Sequence, residues 1–209
     1  MFPSESDLIH EVLGNSPELT VVNLGAHFGQ EHEFFAGLVR GGGYLRHIMV
    51  EPDPANCAQI DQNTRVIYGS KTCAVSLFKA AIWSENCTRS FRSADDGSGS
   101  LREPTGDRFT RLRFSGPFDV KCITLDSVSE ACNLSRIDLL WVDIQGSERE
   151  MILGGTKSLA MSRYLFMEVE TTELYRGEAL KDELLEMLPR WQVLKEFEYN
   201  VFLRNTAIG

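Results

Sequence analysis

The chain has 209 residues, of which 43% are hydrophobic and 24% charged, and its formal net charge is −9. That size and balance suit one soluble domain with a substantial core, and the negative charge argues against a broad nucleic-acid or anionic-membrane surface. No apolar run is long enough to span a bilayer, the acidic start from Met1 to Asp7 lacks the regions of a secretion signal, and the five cysteines form no C-x-x-C pair. Buried free thiols in a cytoplasmic protein are the resulting expectation.

Residues 6–14 predict a short amphipathic helix, capped by Ser6 and closed by Gly14, with Leu8, Ile9, Val12 and Leu13 on its apolar face. Leu19 to Leu24 then reads as a buried strand, followed by a tight turn bracketed by Gly25 and Gly29. Past the turn, Phe28, Phe34, Phe35, Leu38 and Val39 recur at helical spacing until Gly41-Gly42-Gly43. Tyr44 to Val50 is a second strand running into Glu51-Pro52-Asp53-Pro54, where Asp53 is a natural N-cap for a helix over about 54–63. Val66-Ile67-Tyr68 suggests a short strand, and Val75 to Trp83 a third strand of the sheet.

Residues 84–117 have another texture. Glycines, prolines and Asp95-Asp96 interleave with Arg89, Arg92, Arg102, Arg108, Arg111 and Arg113, which predicts an insertion of loops and short strands (88–92 and 118–123). Asp95, Asp96, Glu103 and Asp107 offset much of that positive charge, so a solvated mixed-charge surface is expected in preference to an anion site. Thr124 caps a helix to Cys132, and Ile137 to Ile144 is the strongest buried-strand signal in the chain. A helix follows from Ser147 or a neighbour to about Leu159, then a strand over Arg163 to Glu170 and a helix over Leu180 to Leu188. Trp191–Phe197 and Tyr199–Arg204 are joined too closely for a crossover, so they pair antiparallel. The alternation predicts an α/β fold in a single domain spanning 1–209: a mainly parallel sheet with helices on both faces and an antiparallel C-terminal edge strand.

In such sheets ligands sit at the carboxyl ends of the strands, where His27, Glu51, Asp143, Gln145, Glu168 and Glu170 gather. A strand, a glycine turn and a helix is the unit that holds nucleotide-like ligands, and Glu51 stands where a carboxylate meets a ribose diol. Gly25-Ala26-His27-Phe28-Gly29 lacks the middle glycine that admits a pyrophosphate, and no phosphate-cradling P-loop is present. A ribose ligand without phosphates fits the turn better, and S-adenosylmethionine is such a ligand. Ala81 and Ile82 would line its adenine, or simply pack in the core. His27 would lie near the methionine end, or pack within the turn. Asp143 follows a strongly apolar strand, where a carboxylate caps a helix, binds a ligand or takes a proton.

Asn23-Leu24-Gly25-Ala26-His27-Phe28-Gly29-Gln30, Val50-Glu51-Pro52-Asp53-Pro54, Ala80-Ala81-Ile82-Trp83-Ser84, Ser98-Gly99-Ser100-Leu101, Thr124-Leu125-Asp126 and the run from Ile137 to Glu148 resemble FkbM-type methyltransferases in identity and order. Glu168-Val169-Glu170 and Leu174-Tyr175-Arg176-Gly177 look like that family's tail, so the resemblance spans roughly 19–205. It implies a Rossmann-like class I methyltransferase fold of seven strands, with S-adenosyl-L-methionine as methyl donor and O-methylation of a hydroxyl on a sugar, glycan or small natural product. The cofactor residues it implies are Asn23, Gly25, Ala26, His27, Gly29, Glu51, Pro52, Ala81, Ile82 and Asp143. The candidate catalytic groups are Asp143, His27 and Glu168, with Glu170 a further available base. The family usually has aspartate in place of Asn23 and often glutamate in place of Gln145. Asn23 therefore supplies hydrogen bonds without charge near the donor's amino group, and Gln145 is a poor general base.

No ligand spacing demands a metal, although the carboxylates could hold a divalent cation. The expected partner is a small-molecule or carbohydrate acceptor, with self-association left open and neither nucleic acid nor membrane expected. A non-catalytic S-adenosylmethionine-binding module is the competing reading, and a nucleic-acid methyltransferase using the arginines of 89–113 is disfavoured by net charge.

Overall fold

The computed structural model describes residues 3–69, 73–105 and 113–208. Arg108 and Arg111 of the arginine-rich stretch lie outside them. Helix α1 (Pro3–Leu13) leads into β1 (Ser16–Leu24), α2 (His32–Leu38), β2 (Val39–Val50), α3 (Pro54–Tyr68) and β3 (Cys73–Phe78). Then come β4 (Ala81–Ile82), β5 (Cys87–Ala94), β6 (Phe114–Ile123), α4 (Leu125–Ala131) and β7 (Ile137–Val142). The chain continues through α5 (Glu148–Leu153), α6 (Thr156–Ala160), β8 (Ser162–Glu168), α7 (Lys181–Glu186), β9 (Trp191–Glu196) and β10 (Asn200–Asn205).

Seven strands form one sheet in the order β3-β2-β1-β7-β8-β10-β9. Neighbouring strands from β3 through β8 run parallel, whereas β10 is antiparallel to both β8 and β9. The antiparallel element at the C-terminal edge is thus β10, set one place in from β9. Burial explains the order: Val201, Phe202 and Leu203 need cover on both faces, while Leu194, Lys195 and Glu196 of β9 are exposed. Side-chain alternation divides the core. Leu19, Val21, Leu139 and Trp141 pack with α1, α2 and Tyr68 of α3 on one face. Val22, Leu24, Leu140 and Val142 pack with α4, α5, α6 and α7 on the other. A fully buried Leu, Val or Ile of this kind contributes roughly 1.5–3 kcal/mol.

Four segments depart from the sequence expectation, the first being Val39 to Gly43, which open β2 and do not close α2. Val66-Ile67-Tyr68 is the last turn of α3, not a strand: Asp53 caps the helix through Ala55 N–H, Pro54 starts it, and no breaker follows before Gly69. The expected strand 75–83 is two elements. β3 ends at Phe78, Ala80 N–H turns back onto the Glu51 and Phe78 carbonyls, and β4 joins a second sheet of order β4-β6-β5. The expected helix 147–159 breaks at Gly154-Gly155 into α5 and α6.

Candidate active site

The parallel strands β1, β2, β7 and β8 end together, and strand order reverses at β1, which has β2 on one side and β7 on the other. Gly25 is fixed here by packing within the protein. Its φ is +77°, its N–H bonds to the Val50 carbonyl, and an added Cβ would stand 1.7 Å from the Asp143 carbonyl oxygen. Gly29 (φ +81°) makes room for the His32 ring, whose Cε1 would be 2.2 Å from a Cβ. Both glycines therefore serve the turn's own geometry, and Gly25 also reaches the cavity wall.

Glu51, at the end of β2, is 4% exposed and lines the cavity. Its Oε2 accepts the His27 N–H (2.9 Å); its Oε1 accepts the Asp53 N–H (2.8 Å) and the Asn56 amide (3.3 Å). His27 presents that N–H from a left-handed backbone, φ +48°. Burial outweighs these donors and lifts the Glu51 carboxyl to about 7. Asp53 uses Oδ1 to cap α3 and Oδ2 to accept the Ser93 hydroxyl, which ties β5 of the small sheet to the rim.

At the opposite end, past β7 and β8, Gln145 Nε2 donates to Asp143 Oδ1 (2.5 Å) and to Glu168 Oε2 (2.7 Å). Gln145 Oε1 accepts the Tyr175 hydroxyl at 2.7 Å. Asp143 does not cap α5; Ser147 occupies the N-cap position. Burial first, then the charge of Asp143 and a hydrogen bond with it, hold Glu168 well above the usual carboxylate range. Burial likewise lifts Glu148, the first residue of α5, to about 8, with a smaller push from Asp143. Glu31 under the turn is raised by burial, partly offset by a hydrogen bond from Gln30 and by its own backbone.

The outer wall comes from the small sheet and the segment that follows β5. Ser100 Oγ donates to the Gln145 carbonyl (2.7 Å), and Arg102 Nε donates to the Gly146 carbonyl (2.6 Å). Arg102 also pairs with Glu150 at 2.8 Å, both side chains being nearly buried. Thr105 N–H meets the Leu174 carbonyl and Arg176 N–H the Glu103 carbonyl, so the segments 100–105 and 173–178 are laced together. An arginine predicted as solvated surface is here an internal tie.

The cavity measures about 310 Å³, within the roughly 300–1,000 Å³ of small-molecule sites. Of the residues singled out from sequence, Gly25, His27, Glu51, Pro52, Ala81, Ile82, Asp143 and Glu168 line it. Asn23, Ala26 and Gly29 do not. Asn23 is fully buried on the α2 face, and neither of its amide atoms has a partner within hydrogen-bond distance. The carboxylates of Glu51, Asp53, Asp96, Asp143, Glu168 and Glu170 line the cavity, and among the described residues no lysine or arginine does. Nor do three or more described His, Cys, Asp or Glu residues form a group that could hold a metal ion. Asn56, Ser93, Gly97 and Ser98 also line the cavity, and Tyr175 packs beside it without a role assigned from sequence. The signal for Tyr175 in the sequence was its place in Leu174-Tyr175-Arg176-Gly177, which resembles the family's tail but carries no role by itself.

Sheet order, strand-end acids and a cavity at the switch point define a Rossmann-like methyltransferase fold. The Methyltransferase FkbM domain model matches residues 23–201, and the chain belongs to that family of S-adenosylmethionine-dependent methyltransferases. It is 29% identical to the 2-O-methyltransferase NoeI of Sinorhizobium fredii, over 99% of this chain and 88% of that protein. Among solved structures it resembles a methyltransferase FkbM of Methylobacillus flagellatus, with a TM-score of 0.59 at 14% identity over 93% of this chain. The chain spans 45% of that structure's length. A candidate rRNA-methylase of Clostridium thermocellum has a TM-score of 0.58 at 12% identity, covering 99% of this chain and 96% of that one. These structural likenesses concern the fold alone. No helix among the described residues is long and apolar enough to cross a membrane.

Proposed function

We propose that the cavity binds S-adenosylmethionine and that the enzyme methylates a hydroxyl of a sugar, glycan or small natural product. The observation that carries this reading is the cavity's charge: six carboxylates and no lining lysine or arginine among the described residues. Such a site favours a ligand bearing a sulfonium and an ammonium, and repels phosphates. The residues present fit that cofactor. Glu51, pre-oriented by two backbone N–H groups, receives the ribose hydroxyls with its remaining lone pairs. Ala81 and Ile82 supply an apolar wall for the adenine, and the turn from Gly25 to His27 faces the methionine end. Ser147 offers a buried hydroxyl without a partner at the cavity wall.

When bound, this cofactor supplies a methyl group already activated on sulfur. The chain's own work is to align the acceptor hydroxyl, exclude water and receive the hydroxyl proton. Asp143 and Glu168 are placed to receive it, and Glu168's raised affinity for protons brings its exchange nearer neutrality than in an exposed glutamate. His27 contributes a third basic group on the turn side, where the backbone of Gly97 packs over its ring. The 2-O-methyltransferase relative supports a hydroxyl as the acceptor group, and the acidic lining disfavours RNA. Within a single domain, the described part of the 84–117 insertion that lines the cavity, Phe91, Ser93, Ala94, Asp96 to Gly99 and Leu101, forms the acceptor side.

The test is methyl transfer from labelled S-adenosylmethionine to methyl glycosides, with RNA as the comparison. Labelled glycoside and unlabelled RNA are expected. Labelling of RNA alone would overturn the acceptor class, and donor binding with no transfer to any glycoside would favour the non-catalytic module.

A further inference from the structure

Gln145 is the hub of the reaction end. Both amide hydrogens are used, one on Asp143 and one on Glu168, and its oxygen accepts the Tyr175 hydroxyl. Turning the amide over would face its oxygen to two carboxyl groups, so the phenol proton and the carboxylates select the same orientation. The backbone is committed to this placement: Gln145 has φ +49° and Gly146 φ +90°. Both carbonyls of that kink are held, one by the Ser100 hydroxyl and one by Arg102. The Tyr175 hydroxyl also lies 2.9 Å from the Ser98 carbonyl on the covering segment. Tyr175 is 2% exposed, and burial pushes its ionisation up, so it remains a donor.

We infer that Tyr175 and Gln145 are positioning residues, the phenol orienting the amide and the amide holding Asp143 and Glu168 as one proton-accepting pair at the cavity wall. The inference rests on the reading of this cavity as the methyl-transfer site. The pair needs such an organiser because the groups around it are mostly acids: Glu31 from the α2 side, Glu148 on α5, Glu170 after β8, Asp96 on the covering segment and Glu178 beyond Tyr175. Arg102 reaches Glu178 but is spent on Glu150 and two carbonyls. A neutral amide with two donors favours the ionised carboxylates without adding charge. Losing its orientation makes both carboxyls harder to ionise.

The test is a carboxyl-carbon NMR titration of Asp143 and Glu168 in the wild-type protein and in Tyr175→Phe, with S-adenosylhomocysteine affinity measured by calorimetry on each. The variant is expected to titrate higher by about half a pH unit or more, while its affinity for S-adenosylhomocysteine stays within about twofold, because the altered groups lie away from Glu51. Gln145→Leu should shift the carboxyls in the same direction, and adding Tyr175→Phe to it should move them no further, since Tyr175 acts through the amide. Unchanged titration in Tyr175→Phe with only a lower Tm would assign Tyr175 a packing role and overturn the inference. Additive shifts in the double variant would overturn it too. If Tyr175→Phe does not fold, Gln145→Leu decides, because unshifted carboxyls there contradict the amide's role. A wild-type protein that fails to bind S-adenosylhomocysteine would overturn the site reading, and this inference with it, irrespective of the titration.

Discussion

The two ends of the cavity hold their acids by different means. At the β2 end, Glu51 is fixed mainly by backbone: the N–H groups of His27 and Asp53 belong to the turn and to the start of α3. At the β7–β8 end, Asp143 and Glu168 are linked by one side chain, Gln145, which depends in turn on Tyr175. Backbone donors are present whatever the side chains are, so the first end is built into the fold. The second is built by residue choice and can be altered without disturbing the sheet. Cofactor binding should thus be hard to tune by mutation around Glu51, while the reaction end should respond to single side chains.

The largest expected effect breaks the comparison at its shared base. Gly25→Ala places a Cβ 1.7 Å from the Asp143 carbonyl oxygen at φ +77°, and should cost more than about 3 kcal/mol. Thermal melts by circular dichroism check this, and a Tm within a few degrees of wild type would show that the strand ends can separate. Next, Asp143→Asn should lower kcat by about 10²–10⁴-fold, the range for a lost base, with S-adenosylhomocysteine binding retained. Equal losses in binding and turnover would place Asp143 on the cofactor instead.

The smallest effect sharpens the electrostatic side. Burial lifts Glu148 from 4.5 to about 8 in the folded protein. Between those values the folded state keeps a proton that the unfolded chain has released, so stability from this group is full below about 4.5 and declines as pH rises to about 8. Glu148→Gln should therefore gain Tm relative to wild type as pH is raised from 5 to 9. A constant difference across that range would mean that Glu148 is not held protonated. His32, lowered to about 4 by burial, acts in the opposite sense: its cost to stability grows as pH falls from 6.5 toward 4.

Local pattern made the β2 end readable. A β-branched strand, a glycine turn and an acid at the next strand end are short-range signals, and Glu51, Ala81, Ile82 and Asp143 all line the cavity, Ala81 and Ile82 also packing in the core. What pattern missed depends on contacts between distant residues. Arg102 meets Glu150 and the Gly146 carbonyl, and Tyr175 meets Gln145 and Ser98. No spacing rule announces those pairings. The glycines were located correctly but given another cause: Gly25 yields to the Asp143 carbonyl and Gly29 to His32. Val66 to Tyr68 looked like a strand because apolar residues at the end of a helix carry no period of their own in so short a run.

The account's central claim is that Glu51 receives a ribose in an acid-lined, phosphate-free site. Calorimetric titration of S-adenosylhomocysteine into wild-type protein and Glu51→Ala tests it most directly. We predict binding to wild type and at least about 100-fold weaker binding to the variant, given roughly 1.5–3 kcal/mol for each of two hydrogen bonds to a charged group, with no binding of NAD to either. Equal affinity in the two proteins, or tighter binding of NAD than of S-adenosylhomocysteine, would contradict it.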